Sequence, residues 1–120
     1  MSESLPVMYG IPNCDTIKKA RNWLTSHNIE YQFHDYKKQG TDENQLKNWL
    51  QELGWEQLIN KRGTSWRKLD KKTKAGMDIQ LALQIMLANP SIIKRPLLVL
   101  SDQKILGFNE HTYQQELLTK

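Results

Sequence analysis

The stretch Val7-Met8-Tyr9-Gly10-Ile11-Pro12-Asn13-Cys14-Asp15-Thr16-Ile17 decides how this chain reads. Residues 6–10 form a short apolar strand, and Gly10-Ile11-Pro12-Asn13 is the turn that follows it. Asn13 is the expected N-cap of a helix, with Asp15 adding favourable charge in the first turn. Ile17, Ala20, Trp23 and Leu24 then recur at helical spacing, while Lys18, Lys19, Arg21 and Asn22 face out. Cys14, the single cysteine of the chain, therefore stands at the start of a helix. Free backbone N–H groups and the positive end of the helix dipole meet there. Both favour the thiolate, which is the reactive form of cysteine. A lone cysteine is often an inert apolar residue of a core. Cys14, however, lies between Asn13 and Asp15 rather than inside an apolar run.

Outward from that stretch, the helix is expected to end near His27-Asn28, and an alternating segment at 29–36 reads as a second strand. Two strands joined through a helix form a βαβ unit with a parallel pair. Gly40-Thr41-Asp42 is a turn and cap, and Leu46, Trp49, Leu50 and Leu53 mark a one-sided helix that Gly54 ends. Short helical pieces are expected around Trp55, Leu58 and Ile59, and around Trp66 and Leu69. Residues 79–87 are apolar almost all round and are expected to be largely buried, with Asn89-Pro90 as the stop. Residues 97–100 and 105–108 read as a hairpin. A last helix at 110–118 turns Tyr113 and Leu117 inward. The order is β-α-β, helices, then β-β-α, in one domain over residues 1–120 without internal repeats.

A chain of 120 residues can bury a single modest core, and 38% apolar with 25% charged residues fits an ordinary globular protein. Its longest apolar runs, such as Leu97-Leu98-Val99-Leu100, are too short to cross a membrane, and residues 1–6 carry no leader pattern. One cysteine rules out an internal disulfide, so the chain reads as cytoplasmic. The net charge of +4 is modest, but Lys61, Arg62, Arg67, Lys68, Lys71, Lys72 and Lys74 fall close together. They make either a solvated basic face or a surface for an anionic substrate, an acidic partner or nucleic acid. Nothing beyond that charge supports nucleic-acid binding. His27, His34 and His111 are scattered without ligand spacing, so no metal site is expected. The four tryptophans, Trp23, Trp49, Trp55 and Trp66, occupy inward helical positions.

Four motifs carry a resemblance over nearly the whole chain: Tyr9 to Ala20 around the cysteine, Lys61-Arg62-Gly63-Thr64-Ser65-Trp66-Arg67-Lys68-Leu69, Ile93-Lys94-Arg95-Pro96-Leu97, and Leu106-Gly107-Phe108. With the element order, they resemble the arsenate reductase/Spx (ArsC) family, and within it the YffB-like glutathione-dependent thiol reductases. The resemblance implies an α/β, thioredoxin-like fold (β-α-β then β-β-α) with an inserted helical segment. It implies a cis bond at Arg95-Pro96 beside the cysteine, and Arg95 close enough to favour its thiolate and bind an anionic group. Cys14 and Arg95 are then the catalytic pair. Asn13, Thr16, Lys61, Arg62 and Pro96 are the candidates for holding substrate or glutathione.

Departures from the family pattern narrow the function. Arsenate reductases of this family use three arginines, of which Arg95 matches one; Asn60 and Phe108 stand at the other two positions. Gly10 stands where those enzymes carry a histidine. The Spx switch is a Cys-x-x-Cys pair, but Ile17 occupies the second position. A lone thiol needs an external thiol to resolve any oxidised intermediate. The expectation is a single-cysteine thiol oxidoreductase acting on a small anionic or thiol substrate. It uses glutathione as co-substrate, with glutaredoxin as a further candidate partner, no bound cofactor and no membrane. The alternatives are an Spx-like regulator contacting RNA polymerase and, third, a glutathione/glutaredoxin-linked arsenate reductase.

Overall fold

The computed structural model describes residues 5–118. Residues 1–4, part of the segment read as carrying no leader, lie outside the described residues, as do 119 and 120. In chain order the elements are β1 (Val7–Gly10), α1 (Asp15–Ser26), β2 (Gln32–Asp35), α2 (Tyr36–Gln39), α3 (Glu43–Leu53), α4 (Trp55–Leu58), α5 (Thr64–Arg67), α6 (Lys71–Ala75) and α7 (Ile79–Ala88). A 3-10 turn (Pro90–Ile92), β3 (Leu97–Val99), β4 (Lys104–Leu106), α8 (Glu110–Tyr113) and a π-helical turn (Gln114–Leu118) complete the described chain. No described helix is long and apolar enough to cross a membrane. The elements fall into two compact units: one holds the chain up to Asp35 and from Arg95 onward, and the other is Tyr36–Lys94.

The first unit is built on a four-stranded sheet in the order β2-β1-β3-β4. β1 runs parallel to β2, with Met8 opposite Phe33, and antiparallel to β3, with Met8 opposite Leu98. β3 pairs antiparallel with β4. With α1 joining the parallel pair, this is the thioredoxin-like arrangement. The helical period of α1 carries Ile17, Ala20, Trp23 and Leu24 into one core with Met8, Leu98, Ile105 and Tyr113. Each fully buried large side chain there contributes roughly 1.5–3 kcal/mol. The end of α1 follows from Asn28, which takes φ 59 just past the helix. The Asn28 amide donates to the Thr25 carbonyl and the Ile29 amide to that of Leu24, satisfying the last turn.

The second unit is the inserted helical segment. Its core comprises Leu46, Trp49 and Leu50 of α3, Leu58, Ile59, Ala82, Leu83 and Met86 of α4 to α7, and Ile92 and Ile93. Asp42 caps α3 by accepting from the Asn44 amide, and Asp78 caps α7 by accepting from that of Leu81 at 2.8 Å. Gly54 closes α3 at φ 87.

Several expectations need correction. β2 begins at Gln32 rather than 29, and Tyr36 already opens α2. β4 stops at Leu106, because Gly107 takes φ 82 and leaves the extended region. The terminal helix passes into a π-helical turn after Tyr113. α7 is not buried all round: Ala82, Leu83 and Met86 are buried, whereas Ile79 is 42% exposed. Trp23 and Trp49 are core residues, but Trp55 and Trp66 are only half-buried, with lysine ammoniums over their rings.

Candidate active site

The turn after β1 places Cys14, not Asn13, at the N-cap of α1, with extended backbone angles of φ −154 and ψ 129. The Cys14 amide donates to the Pro12 carbonyl at 2.9 Å, and its own carbonyl accepts from the Lys18 amide at 3.0 Å. Asn13 is exposed in the turn. The one-residue shift has a chemical consequence. The amides that reach back to an N-cap side chain are the second and third of the helix, and here they belong to Thr16 and Ile17. Cys14 makes no side-chain cap bond as a neutral thiol, but as a thiolate it becomes the acceptor for both amides.

Arg95 reaches the same sulfur from the segment before β3. The Arg95–Pro96 peptide bond is cis. The Gly107 amide donates to the Pro96 carbonyl at 2.8 Å, and the positive φ of Gly107 suits glycine. That bond ties Arg95-Pro96 to the end of β4. Arg95 is half-buried, and its side chain donates to the Cys14 sulfur. Partial burial by itself pushes the thiol up. The Ile17 amide, the Arg95 guanidinium as donor, the Thr16 amide and the Arg95 charge outweigh it, and hold Cys14 below the ordinary thiol value.

The remaining two candidates belong to the second unit. Lys61 extends its ammonium over Trp55, 4.8 Å from the ring centroid, and lies 5.9 Å from that of Trp66. The two indoles are nearly parallel with centroids 6.4 Å apart, and Lys74 sits 5.4 Å from Trp66. The Arg62 amide donates to Asn60 Oδ1 at 3.1 Å, and its carbonyl accepts from Arg67 Nη2. Asn60 thus serves a local turn. Phe108 stands edge-on to Tyr113 with centroids 4.8 Å apart, packed against the first unit's core. Neither position supplies a cation. Among the described residues no group of histidine, cysteine and carboxylate side chains could hold a metal ion.

Sequence reasoning missed the Ile17 amide, because Ile17 reads only as a core residue. The helical register would reveal it once Cys14 is taken as the cap. Gly10 ends β1, where the sequence places the strand's last residue, and it is buried.

Comparison with known proteins agrees with this geometry. Residues 9–116 match the model of the ArsC family. An uncharacterized protein of Haemophilus influenzae is 47% identical over 107 residues, covering 89% of this chain and 94% of that protein. The global transcriptional regulator Spx of Streptococcus pyogenes is 30% identical over 101 residues, covering 82% and 75% of the two chains. Among solved structures, the YFFB protein superposes with a TM-score of 0.88 at 47% identity, covering 93% of this chain and 98% of that one. An arsenate reductase (ArsC) related protein from Brucella melitensis gives 0.81 at 42% identity, covering 98% of each. On the motif around Cys14, the fold and these matches together, the chain belongs to the ArsC family.

Proposed function

We propose that the protein is a glutathione-dependent thiol oxidoreductase that works through Cys14 alone. The observation that carries this reading is the convergence of the Thr16 and Ile17 amides and the Arg95 guanidinium on one half-buried sulfur. Such a sulfur ionises more readily than an ordinary thiol, and the thiolate is the nucleophile. In the reaction the Cys14 thiolate attacks the glutathionyl sulfur of a mixed disulfide. It forms a Cys14–glutathione disulfide and expels the substrate as its thiolate, which takes up a proton. A second glutathione thiolate then attacks the glutathionyl sulfur, leaving as oxidised glutathione and restoring the Cys14 thiolate. One reduced glutathione is consumed per turnover: its sulfur is oxidised to the disulfide level as the substrate sulfur is reduced from disulfide to thiol. Arg95 also offers a planar donor pair to a carboxylate of glutathione. No bound cofactor is needed. The reading carries a cytoplasmic location with it, since the cycle runs only where glutathione is kept reduced.

With one cation at the sulfur, and Asn60 and Phe108 at the other family positions, arsenate as the main substrate loses much of its charge-assisted bonding. A regulator that contacts RNA polymerase is the second reading, drawn from the likeness to the Spx proteins. The test is thiol exchange with a glutathionylated peptide, followed by mass spectrometry of the trapped protein. The proposal expects a single glutathione adduct on Cys14 and turnover that C14S abolishes. Turnover retained in C14S would refute it, and neither turnover nor an adduct in the wild type would refute it and favour the regulator.

A further inference from the structure

Gly10 closes β1 immediately before the turn that delivers Cys14. It is buried, and it is not among the glycines with positive φ, which are Gly40, Gly54 and Gly107. Its backbone is therefore open to any residue, and the demand for glycine is one of space. A Cβ built there would stand 2.5 Å from Ile17 Cδ1, 3.4 Å from Ile17 Cγ1 and 3.5 Å from Arg95 Cβ. The two side chains crowding this position are those of the residues that act on the sulfur: Ile17 through its amide, Arg95 through its guanidinium.

We propose that Gly10 is a positioning residue for the thiol: its missing side chain is the space into which Ile17 and Arg95 close, and so it fixes where their donors stand against Cys14. Ile17 is fully buried in the core of the first unit, so its tip has little free volume to retreat into. An added methyl at Gly10 displaces either that tip or the first turn of α1 together with its amides. Against the root of the Arg95 side chain, 3.5 Å away, it would make an ordinary contact, so the displacement falls on Ile17. The charged group that bears on the sulfur is Arg95, and Asp15 follows Cys14 in the chain. Neither is altered by the change, so any effect on the thiol is one of position.

The inference rests on Cys14 being the reactive thiol, and the experiment separates the two claims. Iodoacetamide alkylation of the full chain is followed against pH for the wild type, G10A and G10A/I17V, with thermal melting alongside. G10A is expected to move the alkylation midpoint up by about half to one pH unit. Valine lacks the Cδ1 that meets the new methyl, so G10A/I17V is expected to return most of that shift. A folded G10A with an unmoved midpoint overturns the proposal, even if its melting temperature falls. Should G10A fail to fold, the double variant decides: a wild-type midpoint supports the proposal, and a raised midpoint or an unfolded chain overturns it. A low wild-type midpoint without glutathione exchange defeats the proposed function and leaves the Gly10 claim standing. A wild-type midpoint at the ordinary thiol value defeats both.

Discussion

The cation at the thiol and the cations of the 61–74 stretch meet different environments. In the first unit, the half-buried Arg95 donates to the sulfur of Cys14, while Arg21, also half-buried, lies over the rings of Phe33 and Tyr31. In the second, Lys61, Arg62, Arg67, Lys68, Lys71 and Lys72 are exposed, and Lys61 and Lys74 rest on the faces of Trp55 and Trp66. A charge facing water is screened and interacts weakly, whereas one held in a partly desolvated pocket acts strongly on its neighbour. Charge count and chemical leverage therefore run in opposite directions along this chain. The densest run of cations makes a solvated face in which Lys61 and Lys74 rest on indole rings. The isolated arginine before a cis proline tunes the one thiol.

Replacing cations in the two regions tests that contrast. The largest effect is expected from R95M, which removes both a donor and a charge from the sulfur. Its Cys14 midpoint rises by about one unit, and the thiolate fraction at neutral pH falls by up to about tenfold. Greater intrinsic nucleophilicity offsets part of that loss. With the carboxylate contact also gone, thiol exchange at pH 7 is expected to drop about ten- to hundredfold. A lysine at the position recovers only part of it, since an ammonium cannot reproduce the planar fork. Exchange within a factor of two of the wild type in R95M would erase the distinction between the regions.

A smaller effect is expected from K61M. The ammonium over Trp55 and Trp66 is lost, which lowers stability by about 0.5–1 kcal/mol and alters tryptophan fluorescence. Denaturant unfolding with a fluorescence readout checks both, and no change in either would mean that the indole contacts do not fix the cationic face. The smallest effect sharpens the view of the first unit's interior. Tyr113 is fully buried, and its hydroxyl has no hydrogen-bond partner among the described residues. Burial pushes its phenol above the ordinary value. Y113F removes a polar atom that burial penalises, so its stability is expected to be unchanged or higher by up to about 1 kcal/mol. A clear loss on thermal or urea unfolding would contradict that.

Much of the fold was legible in the residues because its elements carry strong periods and clear punctuation. The spacing of Ile17, Ala20, Trp23 and Leu24 marks α1, and Asp42 and Gly54 bracket α3. The four residues of α2, Tyr-Lys-Lys-Gln, were not legible as a helix, since one turn holds no period to detect. Trp55 and Trp66 were misread because helical spacing reports a shared face without saying whether protein or a lysine covers it. At the site, Cys14 stood out by its place at a helix start. Arg95 had no local signal and came from the family resemblance alone. The choice of cap between Asn13 and Cys14 turned on a single backbone conformation. That choice decides which amides face the sulfur.

The central claim is that Cys14 is an activated thiol, and the most direct measurement is the rate of its alkylation against pH in the wild-type protein. The Ile17 and Thr16 amides and Arg95 outweigh the effect of burial, so the folded thiol ionises more readily than an unhindered one. The rate should therefore reach half its maximum below the value of about 8.5 for an ordinary cysteine. A midpoint at or above that ordinary value would contradict the account and leave Cys14 a structural residue.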